Sequence, residues 1–278
     1  MMRSRSGWLV AAVAGVALWI GLAARAEARL PTPEEAERVT QGTALTLGGQ
    51  VFQLGILAFD YGITDRINVG TDPPMYLVRA AEPVLIPNLH LKVIAYRGDR
   101  FWLTGQAAVY YASLSKGDAS GNLFAVPLTA YASQQIDSHW WIHGEVTYNI
   151  VWANGTGDLS RTTLGGAAAT RAVQLAVTGE YRIRPTIAIT LRGRIQVYTS
   201  RLALSSSTNP DDFTSIAVDA RVDPRDLPPW QVVPAVSFLW QRLRLAAGVG
   251  YGNYFLPGMQ VPLTKRSWVP EASVALVF

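Results

Sequence analysis

Residues 268–278 read Trp-Val-Pro-Glu-Ala-Ser-Val-Ala-Leu-Val-Phe, and alternate positions Pro270, Ala272, Val274, Leu276 and Phe278 are apolar. Successive side chains of a strand point to opposite faces, so this stretch is a strand with one greasy side. The pattern is clearer upstream. Trp140, Ile142, Gly144, Val146, Tyr148, Ile150 and Trp152 share one face, while Trp141, His143, Glu145, Thr147, Asn149 and Val151 share the other. Val173, Leu175, Val177, Gly179, Tyr181 and Ile183 alternate in the same way with Gln174, Ala176, Thr178, Glu180, Arg182 and Arg184. Ile187, Ile189, Leu191, Gly193, Ile195 and Val197 alternate with Thr190, Arg192, Arg194, Gln196 and Tyr198. Near Phe101, the residues Phe101, Leu103, Ala107, Val109 and Tyr111 oppose Trp102, Thr104, Gln106 and Tyr110.

A water-soluble β-sandwich also alternates, but its outward residues are the polar ones and its strands are about half as long. Here the long face is apolar, carries aromatic residues at its ends, and leaves the charges to the opposite side. Segments of roughly ten residues or more with this dyad suit a tilted strand that crosses a bilayer. The predicted fold is all-β, an antiparallel up-and-down transmembrane β-barrel. Tight turns are expected at Thr64-Asp65-Arg66, Gly98-Asp99-Arg100, Asp137-Ser138-His139, Arg184-Pro185 and Gln241-Arg242. Longer connections are expected at Asp72 to Pro87, Ser115 to Asn122, Ala153 to Thr170, Ser200 to Pro229 and Leu256 to Ser267. Short and long alternate, the rhythm of a barrel with short periplasmic turns and longer outside loops, and hairpin counting gives about twelve strands. The first hairpin, Thr43 to Gly62, is ambiguous around Gly48, Gly49 and Gly55, which leaves about ten as the alternative. Phe213 to Val222 reads as further β structure rising beyond the membrane.

At the other end, Arg3 and Arg5 precede an uncharged run from Gly7 to Ala24 and the small-x-small sequence Ala24-Arg25-Ala26. This is the three-part pattern of an export signal, so residues 1–26 are expected to be removed, with cleavage after Ala28 as an alternative. A retained anchor is the competing reading, but the run falls short of the roughly 20 residues that a spanning helix needs. Residues 27–42 are expected to form a short periplasmic segment. Thr32-Pro33-Glu34-Glu35 has the N-cap, proline and acids of a helix start. Residues 43–278 are expected to form the barrel. There is no cysteine, hence no disulfide framework. The net charge of +4 belongs partly to the export signal and makes no case for nucleic acid. The mean hydropathy of +0.16 comes without a further uncharged run long enough for a spanning helix.

The export signal, the alternating strands and the terminal Val274-Ala275-Leu276-Val277-Phe278 resemble those of Gram-negative outer-membrane β-barrel proteins as a class. The phrase from Tyr61 to Gly70 is similar to a strand-turn-strand of several such barrels. The resemblance implies a place in the cell outer membrane, among its lipid and lipopolysaccharide. It also implies the barrel-assembly machinery as a partner, since the C-terminal aromatic strand is similar to the signal which that machinery reads.

If the apolar faces meet lipid, the opposite faces line a lumen. Its expected lining includes Lys92, His143, Glu145, Glu180, Arg182, Arg192, Arg194, Arg244 and Glu271, together with His90, Gln106, Gln174 and Gln196. Isolated ions are costly in a narrow barrel, so the three glutamates are expected to pair with some of the arginines. Lys92 and the remaining arginines leave a basic excess, and rings of such residues favour anions in an open pore. Gly248, Gly250 and Gly252, on the inner face, are expected to leave space or to admit a plug. The predicted function is a small passive diffusion channel with slight anion preference. The alternative is a non-conducting barrel that anchors a trans-envelope adhesion or motility complex, with partner proteins reached through the outside loops.

An enzyme is not expected, and a lipid-modifying barrel enzyme is the least favoured of the alternatives. His143 and Glu145 share a strand face, and a serine could complete a hydrolytic group, but no recognisable hydrolase signature accompanies them. His139 and His143 stand about 13 Å apart at about 3.3 Å per residue and cannot share a metal ion. Asp211, Asp212, Asp219, Asp223 and Asp226 lack the ordered spacing of a calcium loop. No cofactor is expected.

Overall fold

The computed structural model describes residues 40, 42–55, 58–72, 88–116, 119–159, 162–184, 186–200, 203–207, 228–240, 242–255, 258, 260 and 262–277. The expected export signal, nearly all of the N-terminal segment 27–42, Phe213 to Val222 and Phe278 lie outside these residues. Among the described residues there are strands and no helix. In chain order the strands are β1 (Phe52–Gly55), β2 (Phe59–Thr64), β3 (Ile67–Thr71), β4 (Asn88–Arg97), β5 (Phe101–Lys116), β6 (Ala119–Gln135), β7 (Trp140–Leu159), β8 (Thr162–Arg184), β9 (Ile187–Thr199), β10 (Ala203–Ser207), β11 (Trp230–Trp240), β12 (Leu243–Phe255) and β13 (Pro262–Val277).

Every pairing is antiparallel. β1 to β9 pair in sequence, β9 passes to β11, and β13 returns to β1. β10 is not a separate stave of the wall. It pairs Ala203–Ser207 with Gly165–Ala169 of β8, beyond the Ala172–Thr199 pair of β8 with β9. The protein is therefore a closed twelve-stranded barrel carrying an extra rung at one end.

The alternation holds through the wall. In β7, Trp140, Ile142 and Val146 are exposed outward, while Trp141, His143, Glu145, Thr147 and Asn149 are buried. Outward aromatics gather at two heights: Trp140 meets Tyr181 with ring centroids 4.9 Å apart, and Trp152 meets Phe124 at 5.3 Å. Tyr251 bridges Trp230 and Trp268 on the same rim as Trp152. From Trp140 to Trp152 is about 40 Å along the strand, or roughly 30 Å of height at a tilt of roughly 40°. That matches the apolar band of a membrane barrel and its aromatic girdles.

Three expectations need correcting. The connections expected at Ser115 to Asn122 and Ala153 to Thr170 are mostly strand. β5 and β6 pair out to Lys116 and Ala119, and β7 and β8 pair out to Leu159 and Thr162. Glycine, alanine and asparagine there give no apolar rhythm, yet a ladder already in register continues past the membrane on backbone hydrogen bonds. The third is the first hairpin. Thr43 to Gln50 is not part of the wall, which begins at Phe52.

The wall is also uneven. β7 and β8 have 20 and 23 residues, whereas β1, β2 and β3 have 4, 6 and 5. Among the described residues, closure rests on three register pairs, Gln53 with Val277, Leu54 with Leu276 and Gly55 with Ala275.

Candidate functional site

The segment ahead of β1 crosses the lumen. The Ala44 N–H donates to Ser133 Oγ of β6 at 2.9 Å, and the Ala44 carbonyl accepts from Thr104 of β5. Lys92 Nζ of β4 donates to the Thr43 carbonyl at 2.7 Å. Gly42 lies against the Arg192 guanidinium of β9. Further on, Thr46 Oγ1 donates to the Asp65 carbonyl and the Gly49 N–H donates to Asp65 Oδ1, at 2.9 and 2.7 Å. Gly62 of β2 faces the Gly48 carbonyl so closely that a Cβ could not fit. The Ala44 methyl packs among Trp102, Tyr131 and Trp141, all buried. A chain that must satisfy its backbone inside a polar tube does so here through side chains of the inner face. No periodicity in 43–50 signalled this, because the bonds go to single residues far away in sequence.

The structure gathers the charged inward residues named from the sequence, with His143, into two groups. Near the short-turn end, Ser133, His143 and Glu180 form a relay. His143 Nδ1 lies 2.8 Å from Ser133 Oγ and Nε2 lies 3.0 Å from Glu180 Oε2, so Nε2–H donates to the carboxylate and Nδ1 accepts from the hydroxyl. Arg182 Nε donates to the other oxygen of Glu180, and its guanidinium lies 5.1 Å above the Trp141 ring. The chain Ala44–Ser133–His143–Glu180 is a line of hydrogen bonds that polarise one another and hold the crossing segment.

The second group surrounds a cavity of about 330 Å³. Arg194 Nη2 reaches both oxygens of Glu145 at 3.0 Å. Arg192 meets Glu271 at 3.4 Å. Arg244 Nη1 donates to Gln53 Oε1 at 2.8 Å. Lys92 also lies 5.0 Å over the Tyr131 ring. From the long-loop end Gln260 turns inward. Its carbonyl accepts from Asn149 and Gln174, and its side chain accepts from Arg194.

Two carboxylates escaped the sequence reading. Asp60 Oδ1 lies 2.6 Å from His90 Nε2, Asp72 Oδ2 lies 3.6 Å from Nδ1, and Tyr110 donates to Asp72. The alternation around Asp60 is broken by glycines, and Asp72 sits at a strand end, so neither stood out as inward. With them, the cavity lining carries Lys92, Arg192, Arg194 and Arg244 against Asp60, Asp72, Glu145 and Glu271. Among the described residues, the lysine and three arginines of the lining thus face four carboxylates, with His90 besides.

The inner-face glycines also differ from expectation. A Cβ on Gly248 would come 2.6 Å from Ala235 Cβ, and one on Gly250 2.7 Å from Val233 Cα. They allow β11 and β12 to approach closely at a tight bend in the wall, rather than leaving room for a solute.

No protein-family model matches the chain, and neither does any curated protein. Among solved structures, the translocator domain of the autotransporter NalP from Neisseria meningitidis is similar at 9% identity and a TM-score of 0.46, over 82% of this chain and 83% of that one. OmpT of Vibrio cholerae, an outer-membrane protein folded in vitro, is similar at 11% identity and a TM-score of 0.24, over 82% and 94%. The same protein expressed in the outer membrane gives 10% identity and a TM-score of 0.21.

The exclusion of an enzyme does not stand. The matches to OmpT of Vibrio cholerae, like the match to NalP, reach no further than fold, and fold decides neither for nor against catalysis. The exclusion also weighed His143 with Glu145, whereas the structure joins His143 to Ser133 and Glu180, in the order hydroxyl, imidazole, carboxylate.

Proposed function

We propose that the protein is an integral barrel of the cell outer membrane whose lumen is a small-solute passage held shut by its own N-terminal segment. The observation that carries this is the crossing of residues 42–50, bonded to Lys92, Thr104, Ser133 and Asp65 on four parts of the wall. Above it, a charged and hydrated cavity remains, too polar for a packed core. Lipid and lipopolysaccharide surround the barrel on this reading, the barrel-assembly machinery inserts it, and no nucleic acid is bound. With Lys92, three arginines and His90 facing four carboxylates around the cavity, ion selectivity is weak.

Single-channel recording in a planar bilayer under a salt gradient tests this. The mature chain should be closed most of the time. Ala44→Trp overfills the box of Trp102, Tyr131 and Trp141, displaces the segment, and should give frequent discrete openings with a reversal potential near zero. The crossing segment equally favours a second reading, a non-conducting anchor for an envelope complex. Silence of both wild type and Ala44→Trp, each inserted and folded, rejects the passage and selects the anchor.

A further inference from the structure

The cavity is lined by the consecutive residues Val269, Pro270, Glu271 and Ala272 of β13. Neighbours along a strand point to opposite faces, so the cavity meets the backbone of this stretch as well as its inward side chains, and an unpaired strand edge would bring the two together. That edge is present. β13 pairs with β12 as far up as Pro262, but with β1 only from Ala275 to Val277. Among the described residues, Pro262–Val274 has no register partner on the β1 side.

Backbone directions identify what faces the gap. The Val277 N–H donates to the Arg242 carbonyl, so odd-numbered residues here direct their backbone groups toward β12 and even-numbered ones direct theirs to the other side. Consistently, the Val274 carbonyl lies beside Gly55. Ala272 therefore presents its backbone N–H and C=O to the gap, and Pro270 a C=O with no N–H. A proline at an edge removes a donor that would otherwise be stranded. Among the described residues, the Ala272 backbone and the Pro270 carbonyl have no strand partner on this side, and hydrocarbon supplies none.

Ala58 lines the cavity across from this edge, and Trp268 stands at the aromatic rim above it. Behind the edge lie Asp60, Glu271, Arg192 and Arg244. We propose that a zwitterionic phospholipid of the surrounding bilayer binds through this gap. Its phosphate lies toward Arg192 and Arg244, its ammonium toward Asp60 and Glu271, and its acyl chains stay in the membrane outside. Four carboxylates set among Lys92, three arginines and His90 fit a headgroup carrying both charges better than a simple anion. The polar headgroup also supplies partners for the open strand edge.

This rests on the proposed membrane placement, and the test separates the two. The chain has no cysteine, so single-cysteine variants report single sites. A fluorophore on Gln106→Cys faces the cavity, and one on Ala107→Cys faces outward. The full chain is reconstituted in phosphatidylcholine vesicles containing phosphatidylcholine with a nitroxide on its choline, or on its acyl chain. A soluble nitroxide choline is added in a separate arm. The expected result is quenching at position 106 that rises with the headgroup-labelled lipid, exceeds that from the soluble probe, and is lost when Ala272→Trp or Ala58→Trp narrows the gap. Two variants on opposite rims guard against one failing to fold. Quenching at 107 by the chain-labelled lipid without quenching at 106 by the headgroup-labelled lipid would keep the membrane placement and overturn the lipid site. Quenching at 106 that both tryptophan variants leave unchanged, or that the soluble probe matches, overturns it as well. Absence of chain-label quenching at 107 overturns the placement and the lipid site together.

Discussion

Replacing Arg194 with methionine strands a carboxylate inside the barrel. Arg194 Nη2 lies 3.0 Å from both oxygens of Glu145, and each of the two side chains is 8% exposed. An exposed ion pair contributes about 0–1 kcal/mol, because water screens it. Removing one partner of a buried pair costs about 3–5 kcal/mol, because the remaining charge keeps its desolvation penalty with nothing to offset it. Among the described residues, Thr147 Oγ1 also donates to Glu145, at 3.2 Å. Arg194→Met also frees the Gln260 side chain, adding about 1 kcal/mol. The expected destabilisation is therefore at least about 3 kcal/mol. Adding Glu145→Gln removes the stranded charge, so the double variant should recover about 2 kcal/mol or more of that loss. The assay is reversible urea unfolding of the refolded barrel in vesicles, followed by tryptophan fluorescence, for both single variants and the double. A loss below about 1 kcal/mol for Arg194→Met, or simple additivity, would show a pair as hydrated as one on a surface and refute the argument.

Gly250→Ala should prevent folding or strongly destabilise the barrel, because its Cβ meets Val233 Cα at 2.7 Å, whereas Gly144→Ala, with nothing within 4 Å, should be tolerated; comparable unfolding midpoints would contradict the tight bend between β11 and β12. Asp137, in an exposed turn, accepts the His139 and Trp140 amides, which hold its carboxyl below its usual value of 3.8. Such a depressed group stabilises the turn above the unfolded value and loses that contribution as pH falls through the lowered folded value. An NMR carboxyl titration should therefore show a midpoint under 3.8, and a midpoint at or above it would remove the two bonds from the account. Cysteines at Ile189 and Arg192 should report lipid and water respectively, since Ile189 is 44% exposed outward while the Arg192 side chain faces Glu271 in the lumen; equal labelling by a charged maleimide would reverse the face assignment.

The lumen shows why some features were legible in the sequence and others were not. His143, Glu145, Glu180 and Arg194 could be placed inward because two-residue periodicity is a property of each strand by itself. Which glutamate met which arginine depended on strand register and barrel diameter, so only the expectation of pairing was available. His143 invited pairing with Glu145, its neighbour on the same strand. The carboxylate that actually meets it, Glu180, comes from β8, and Ser133 from β6.

Strand periodicity, the apolar outer face and the short-turn rhythm follow from local chemistry, and the sequence by itself determined them: an all-β barrel with charges inside. The crossing of residues 42–50, the balance of charge around the cavity and the open edge of β13 were decided only in three dimensions. Thr43 to Gln50 carries no repeating pattern, and Asp60 on β2 and Asp72 at the end of β3 join the lining only because β4 sets His90 between them. Among the described residues, the open edge arises because β1 ends at Gly55 while β13 continues, a mismatch between segments more than 200 residues apart that no local pattern records.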